Sequence, residues 1–407
     1  MPKDFDHIVI GAGISGLGAA HLSARRGLST LVLESSHRVG GCINSQRFDD
    51  LDGFWIEAGG HTCFNSYGNL LGILDDLALT ERAQAKVKVG YRLWQDGERR
   101  SVASSLHLWE AALSLPRMAT AQKVGRRVAD YYAQVLGRRN YRDLLRHAFQ
   151  AVICQPADDY PAEALFRRKP RRKGMLKAFT FPQGLSEIPA AIAGQDGLEV
   201  RTDQNVVAIA RDSAGFRVAL DGAGEVDARY LTLAVPPDAA ARLLPPGFDE
   251  ARAAAASVGM AEIETLTLAF RNADLDLPAL AGLIAVDDAF YSAVSRDFMP
   301  DPAYRGFAFH FRPGTLDATA QVARACAALG VAPERVVAMS RVHNRLPALR
   351  AGHAQQVQRI DRALAGSPLA IVGNWFVGVS IEDALTRTRS EMDRLFGGSD
   401  APRTASR

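Results

Sequence analysis

At 407 residues, with 47% hydrophobic and 23% charged residues, the chain has the composition of an ordinary folded protein and exceeds what one hydrophobic core usually supports, so two domains are expected. A net charge of +3 argues against a global nucleic-acid-binding role, and no apolar run reaches the about 20 residues that span a bilayer. Four scattered cysteines without a C-x-x-C, and no His/Asp/Glu cluster at ligand spacing, imply reduced thiols and no metal site.

The first apolar run, His7 to Ile10, is β-branched and suits a buried parallel strand. It starts too close to Met1 to leave room for a signal peptide, so a cytoplasmic location is expected. Gly11, Gly13 and Gly16 follow as G-x-G-x-x-G: the first for a tight turn, the second for close approach to a pyrophosphate, the third for helix–strand packing. From Ile14 the chain reads as a helix whose first amides, at Ile14 and Ser15, face the phosphates. "STLVLE" is the second strand, and Glu34, 18 residues after Gly16, stands where a carboxylate accepts hydrogen bonds from an adenosine ribose. Up to this point the dinucleotide could carry a nicotinamide or a flavin.

The next string, "ESSHRVGGCINS", resembles the second signature, E-x-x-x-R-x-G-G, of the flavin-containing amine oxidase, protoporphyrinogen oxidase and phytoene desaturase superfamily. The resemblance implies that Glu34, Ser35, Arg38, Gly40 and Gly41 serve FAD, with the arginine and glycines closing over its pyrophosphate. "GFWIEAGGHTCF" resembles the family loop beside the isoalloxazine, which gives Gly59 and Gly60 a cofactor role and makes His61 the candidate to touch substrate. "VRTDQNVVAIARD" places Val206 by the adenine, and "LTLAVPP" resembles a short family strand ending in a proline turn. "LAIVGNWFVGVSIEDALTRTRSEMDRLF" resembles the segment where a turn at Gly373 and Asn374 leads to a helix starting near Ser380, with the amide of Ile381 donating to the flavin.

These matches imply an α/β fold: a discontinuous Rossmann-type FAD-binding domain (1–80, 195–247 and 366–398) and a second α+β substrate domain (81–194 and 248–365). In the second domain "NYRDLLRHAFQAVI" reads as a helix with Leu144, Leu145, Ala148, Phe149 and Val152 as core, and "EIETLTLAF", "GFAFHFR" and "ERVVAMSRV" alternate like strands. His310 is read as core or edge, and Trp375 and Phe376 as packing.

The closest family pattern is protoporphyrinogen oxidase, through "GNWFVGVSIED" and "NRLPALRAGH", although Ala348 and Leu349 replace that pattern's glutamine and tyrosine. The stretch where many amine oxidases carry a lysine has none, with Glu262 or Glu264 nearest, and Ser380 stands where an aromatic wall is common. The expected function is therefore an FAD-dependent oxidase or dehydrogenase that removes hydride from a cyclic amine, pyrroline or porphyrinogen-like small molecule, with non-covalent FAD and oxygen or quinone as acceptor. The alternatives are an amine oxidase with an atypical cage and a flavin-binding non-redox protein or mutase. The basic run from Arg167 to Lys173 is either a solvated loop or a contact for a peripheral membrane surface or an acidic carrier.

Overall fold

In the computed structural model, which describes residues 3–397 apart from 119 and 223, two seven-stranded sheets organise the chain. The first has the order Leu198–Arg201, Thr30–Leu33, Phe5–Ile10, Gly224–Leu233, Gly215–Leu220, Val206–Asp212, with Leu369–Ile371 also pairing Gly224–Leu233. Its centre is parallel, and Ile8 lies between Leu31 and Leu231. Both faces are covered, which is why these strands read as unbroken apolar runs.

One face carries the helices Ile14–Ala24 and Ile381–Phe396, and the other carries Asp249–Ala256 and His353–Leu364. The first and last helices can lie close because Gly18 has no side chain: a Cβ there would sit 2.5 Å from Leu385 Cδ2. Thr388 Oγ1 donates to Ser15 O across the same crossing at 3.2 Å.

The second sheet runs Val336–Ala348, Gly259–Arg271, Tyr304–Phe311, Phe290–Ser295, Gly282–Ala285, Tyr91–Gln95, Glu98–Ser101. Alternation sorts its faces. Leu266, Leu268, Phe307, Phe309 and Phe311 pack under the helix Ala318–Leu329. Ala269 and Ala308, pointing the other way, meet Phe54 and Ile56 of the cofactor half. On that same face, Gly306 allows contact that a Cβ would block, since it would lie 2.6 Å from Ile56 Cγ1.

The three expected strands of this sheet form, but several expected boundaries need correction. The expected substrate half includes residues 178–194, yet Phe179, Phe181, Leu185, Ile188 and Ile192 fill the core cluster around the first helix. Likewise Ala251, Ala254, Ile360 and Leu364, on helices inside 248–365, pack on the cofactor sheet. Conversely, Tyr91–Gln95 joins the second sheet in parallel with Gly282–Ala285. Val152, expected in the core, is 54% exposed. A π-turn at Tyr141–Leu145 inserts an extra residue per turn, so the apolar positions after it rotate out of register with those before it.

Candidate active site

The opening glycines form a cradle made of backbone. A Cβ on Gly16 would lie 1.9 Å from Gly11 O, so that position must stay bare for the helix to pack. Gly13 is different, because a Cβ there would meet no protein atom within 4 Å. Gly13 is also the N-cap of the helix that begins at Ile14 and Ser15, so this opening lies at a helix N-terminus, where backbone amides lack intrahelical partners. The second glycine loop approaches the first: Gly40 N donates to Ala12 O at 2.8 Å, and a Cβ on Gly41 would come 3.2 Å from Gly13 Cα. Two bare backbones thus meet at the carboxyl ends of the parallel strands, the crevice in which open α/β sheets hold ligands. A dinucleotide diphosphate fits this cradle.

Glu34 ends the second strand with its carboxylate in place. Oε1 accepts from Ser36 N at 2.9 Å and from the hydroxyls of Ser35 and Ser36, while Oε2, among the described residues, accepts only from Ala12 N at 2.7 Å. Oε2 keeps an acceptor position for a ribose hydroxyl. Gln204 N donates to Glu34 O at 2.9 Å, which brings the segment containing buried Val206 to the same end of the cradle.

Arg38 lies on this second glycine loop. Its guanidinium donates to the carbonyls of Val39, Gly41 and Ile43 at 3.2, 2.8 and 3.3 Å. The left-handed turns at Gly40 and Gly41, with φ of 106° and 55°, turn these carbonyls inward, and the cation satisfies them. Arg38 therefore shapes the loop that faces Gly13.

The remaining cofactor candidates converge on this crevice from far along the chain. Gly60 N donates to Cys42 O at 3.0 Å, and a Cβ on Gly59 would lie 2.0 Å from that same oxygen. A Cβ on Gly60 would stand 4.0 Å from Ile381 Cδ1, so the loop at residues 59–60 touches the start of the last helix. Val372 N donates to Leu233 O at 2.9 Å, which seats the turn at Gly373 and half-buried Asn374 beside the opening motif. Ser380 caps the last helix by accepting from Asp383 N at 3.1 Å. Glu382 is spent elsewhere: its carboxylate, raised by burial, caps the helix Gly68–Asp76 through the amides of Asn69 and Leu70 at 3.0 and 3.2 Å. From the basic run, only Lys169 reaches this end, 2.8 Å from Asp383 Oδ1 and 3.0 Å from Ser380 Oγ.

Where the loop 58–62 meets the second sheet, a polar group gathers that the sequence left dispersed. Thr265, His310 and Asn344 come from three adjacent strands. His310 Nδ1 and Thr265 Oγ1 are 3.1 Å apart, and Asn344 Nδ2 donates to Thr265 Oγ1 at 3.0 Å and to Ala58 O at 3.1 Å. His61 lies on the opposite side, half-buried, with Nδ1 3.0 Å from Thr62 Oγ1. Burial, then the charge of Lys86 and the proximity of His310, pushes the His61 imidazole down to about 3, and burial pushes His310 to about 4. Both rings are neutral in the physiological range.

Lys86 is the functional group that sequence reasoning missed. It follows the two-residue strand Gln84–Ala85 and donates from Nζ to His61 O at 2.8 Å and to Thr62 Oγ1. Nζ also sits 3.5 Å from the centroid of Phe298. Burial lowers it to about 8, against the pull of Glu57 and Cys63. Glu57 in turn is buried and raised to about 7, although the amide of Leu185 and the hydroxyl of Ser45, each at 2.8 Å, favour its charged form. Glu262 and Glu264, expected nearest to the missing lysine, are not part of this group: Glu262 is exposed and Glu264 pairs with Gln321. Trp375 is fully buried and donates to Val235 O at 3.2 Å, so it packs as expected.

A family model described as flavin containing amine oxidoreductase matches residues 14–172 and 130–305. The chain belongs to that family. That family is described by its bound flavin and by amine oxidoreductase chemistry. Among individual relatives, it is 36% identical over 84 residues to 15-cis-phytoene desaturase of Narcissus pseudonarcissus, covering 21% of this chain and 14% of that protein. It is 41% identical over 76 residues to protoporphyrinogen oxidase 2 of Arabidopsis thaliana, covering 19% and 14%. The matched stretch is thus about one seventh of these curated relatives. As folds, the likeness extends over nearly the whole chain: a provisionally named protoporphyrinogen oxidase of Exiguobacterium sp. 255-15 superposes with a TM-score of 0.76 at 18% identity, over 97% of this chain and 99% of the other. A fatty acid isomerase from P. acnes gives 0.74 at 14% identity over 97% and 100%. The amine oxidoreductase fold is therefore shared by proteins named for different reactions.

Proposed function

We propose that this family member binds FAD non-covalently and oxidises a cyclic amine, pyrroline or porphyrinogen-like molecule at a C–H bond, leaving a C=N or C=C bond. The observation that carries this reading is Lys86, an amine lowered to about 8 and held by hydrogen bonds to the loop beside Gly59 and Gly60. Bound FAD would supply the hydride acceptor.

The protein's own groups then have three tasks. Lys86 Nζ uses two N–H bonds on His61 O and Thr62 Oγ1, leaving its remaining position for the proton that an amine nitrogen or an allylic carbon releases. Below about pH 8 it is cationic, so it disfavours a substrate ammonium and favours a neutral base. The neutral rings of His61 and His310, with Thr265 and Asn344, offer hydrogen bonds without adding charge, which suits a heterocycle better than an ionic substrate. Oxygen or a quinone then accepts the electrons.

The test is anaerobic mixing of FAD-loaded protein with 1-pyrrolines, cyclic amines and porphyrinogens. Bleaching of the flavin band by at least one of them is expected. A yellow protein that dithionite bleaches but none of these substrates does would overturn the reading in favour of a reaction without net oxidation.

A further inference from the structure

The helix Leu108–Met118 is turned inside out. Leu108, Trp109, Ala112, Leu113 and Pro116 share one face within about 140° of arc. That face looks outward: Leu108, Trp109 and Leu113 are 69%, 85% and 77% exposed. The polar side faces in, with Ser114 at 2% exposure and the Glu110 carboxylate accepting from Arg139 N and Asn140 N at 3.0 and 3.1 Å. Fixed contacts hold the helix to the body by its polar groups, so the outward apolar face is part of the folded design and not a frayed edge. Exposed apolar surface of this kind marks a binding surface.

Charge identifies what it fits. Residues 106–177 hold 15 Lys and Arg against 6 Asp and Glu, a net +9, in a chain whose total is +3, so the remainder is −6. The loop after this helix is tied to the basic run, because Lys123 Nζ donates to Leu165 O and Phe166 O, and Phe166 is itself 57% exposed. Arg167, Arg168, Arg171 and Lys173 follow, all exposed, while Lys169 and Arg172 anchor the loop on Asp383 and Asp75. Aromatic and aliphatic side chains beside a cationic rim match a surface that is apolar just below a layer of negative charge. No helix among the described residues is long and apolar enough to cross a membrane, so the contact lies in the plane of the surface.

We infer that the Leu108–Met118 helix and the Arg167–Lys173 loop dock this protein on an anionic lipid bilayer, Trp109 and Leu113 entering the interface while the arginines meet the headgroups. The test is co-sedimentation of the full FAD-loaded chain with phosphatidylcholine vesicles, with and without phosphatidylglycerol. Binding to the anionic vesicles alone is expected, weakening as salt is raised. Brominated acyl chains should quench tryptophan emission, and Trp109→Phe, which keeps an aromatic side chain, should remove that quenching. Leu113→Glu and the pair Arg167→Glu with Arg168→Glu should each lower the bound fraction about tenfold while leaving flavin binding and melting unchanged. Failure to bind anionic vesicles, or binding that Leu113→Glu does not weaken, overturns the inference. A lipid-free dimer that Leu113→Glu dissociates would also overturn it, by assigning the face to a second copy.

Discussion

The cofactor cradle and the polar group facing it are built from different materials. Around the cradle the decisive atoms are backbone amides and carbonyls, set by glycines that tolerate no side chain or open onto free space. Across from it the decisive atoms are side chains, Lys86, His61, Thr265, His310 and Asn344, brought from five stretches of chain. Backbone geometry is fixed by local turns and survives wide changes of neighbouring residues. A side-chain constellation survives only if each member is kept. The first region can therefore serve one cofactor across many reactions, while the second is where members of the fold can diverge.

The sharpest way to break this contrast is a pair of glycine substitutions. At Gly13 a Cβ meets no protein atom within 4 Å, whereas at Gly16 it lies 1.9 Å from a carbonyl oxygen. Gly13→Ala should give a protein that melts like the parent but is purified colourless, because the methyl takes the space of the diphosphate. Gly16→Ala should lose both colour and stability, by about 3 kcal/mol or more in denaturant melts, since a backbone must move. If Gly13→Ala remains yellow, the cradle is not where the dinucleotide lies.

That contrast also governs what could be read from the sequence. Gly11, Gly13, Gly16 and Glu34 sit within one strand–helix–strand unit, so local spacing carries their meaning. The last helix was equally legible, with Ser380 as cap and acids in its first turn. Lys86 gave no signal, because it follows a strand of two residues and its partners are 25 and 24 positions away. His310 looked like any inward residue of an alternating strand, and only its pairing with Thr265 on the neighbouring strand separates it from packing. Domain boundaries failed for a related reason: periodicity shows which face of the Asp249–Ala256 helix is apolar, but not which sheet that face covers.

Next in size is a pH effect at Glu57. Its folded value, about 7, lies above the ordinary 4.5, so the native state binds this proton more tightly than the unfolded chain. Stability from this group is complete below pH 4.5 and is lost as pH rises to about 7, by about 3 kcal/mol. Glu57→Gln should flatten that slope in urea melts taken across the window. An unchanged slope would mean that the carboxyl ionises freely in the folded protein.

Lys86→Met should leave the fold and the yellow colour intact while slowing anaerobic flavin reduction about 100-fold. The accompanying pH profile decides its role. With Lys86 lowered to about 8, the parent rate should climb as pH rises through that value and the amine becomes neutral, and the variant should lose this limb. A uniformly slower enzyme with the limb retained would reduce Lys86 to a prop for the His61 carbonyl.

The smallest effect probes the seam between the two regions. Asn344 is the side chain that touches both, donating to Ala58 O on the loop before Gly59 and to Thr265 Oγ1 on the sheet. Removing it by Asn344→Ala strands a carbonyl, whereas Thr265 keeps His310 as a partner at 3.1 Å. One orphaned group should cost about 1–2 kcal/mol in melts. If the regions are separable, flavin affinity and the reduction rate should stay within about twofold, because the glycine cradle holds its shape through its own bonds from Gly40 to Ala12 and from Gly60 to Cys42. A loss of flavin affinity larger than the loss of stability would show instead that the sheet holds the cradle open, and the division between backbone and side-chain machinery would fall with it.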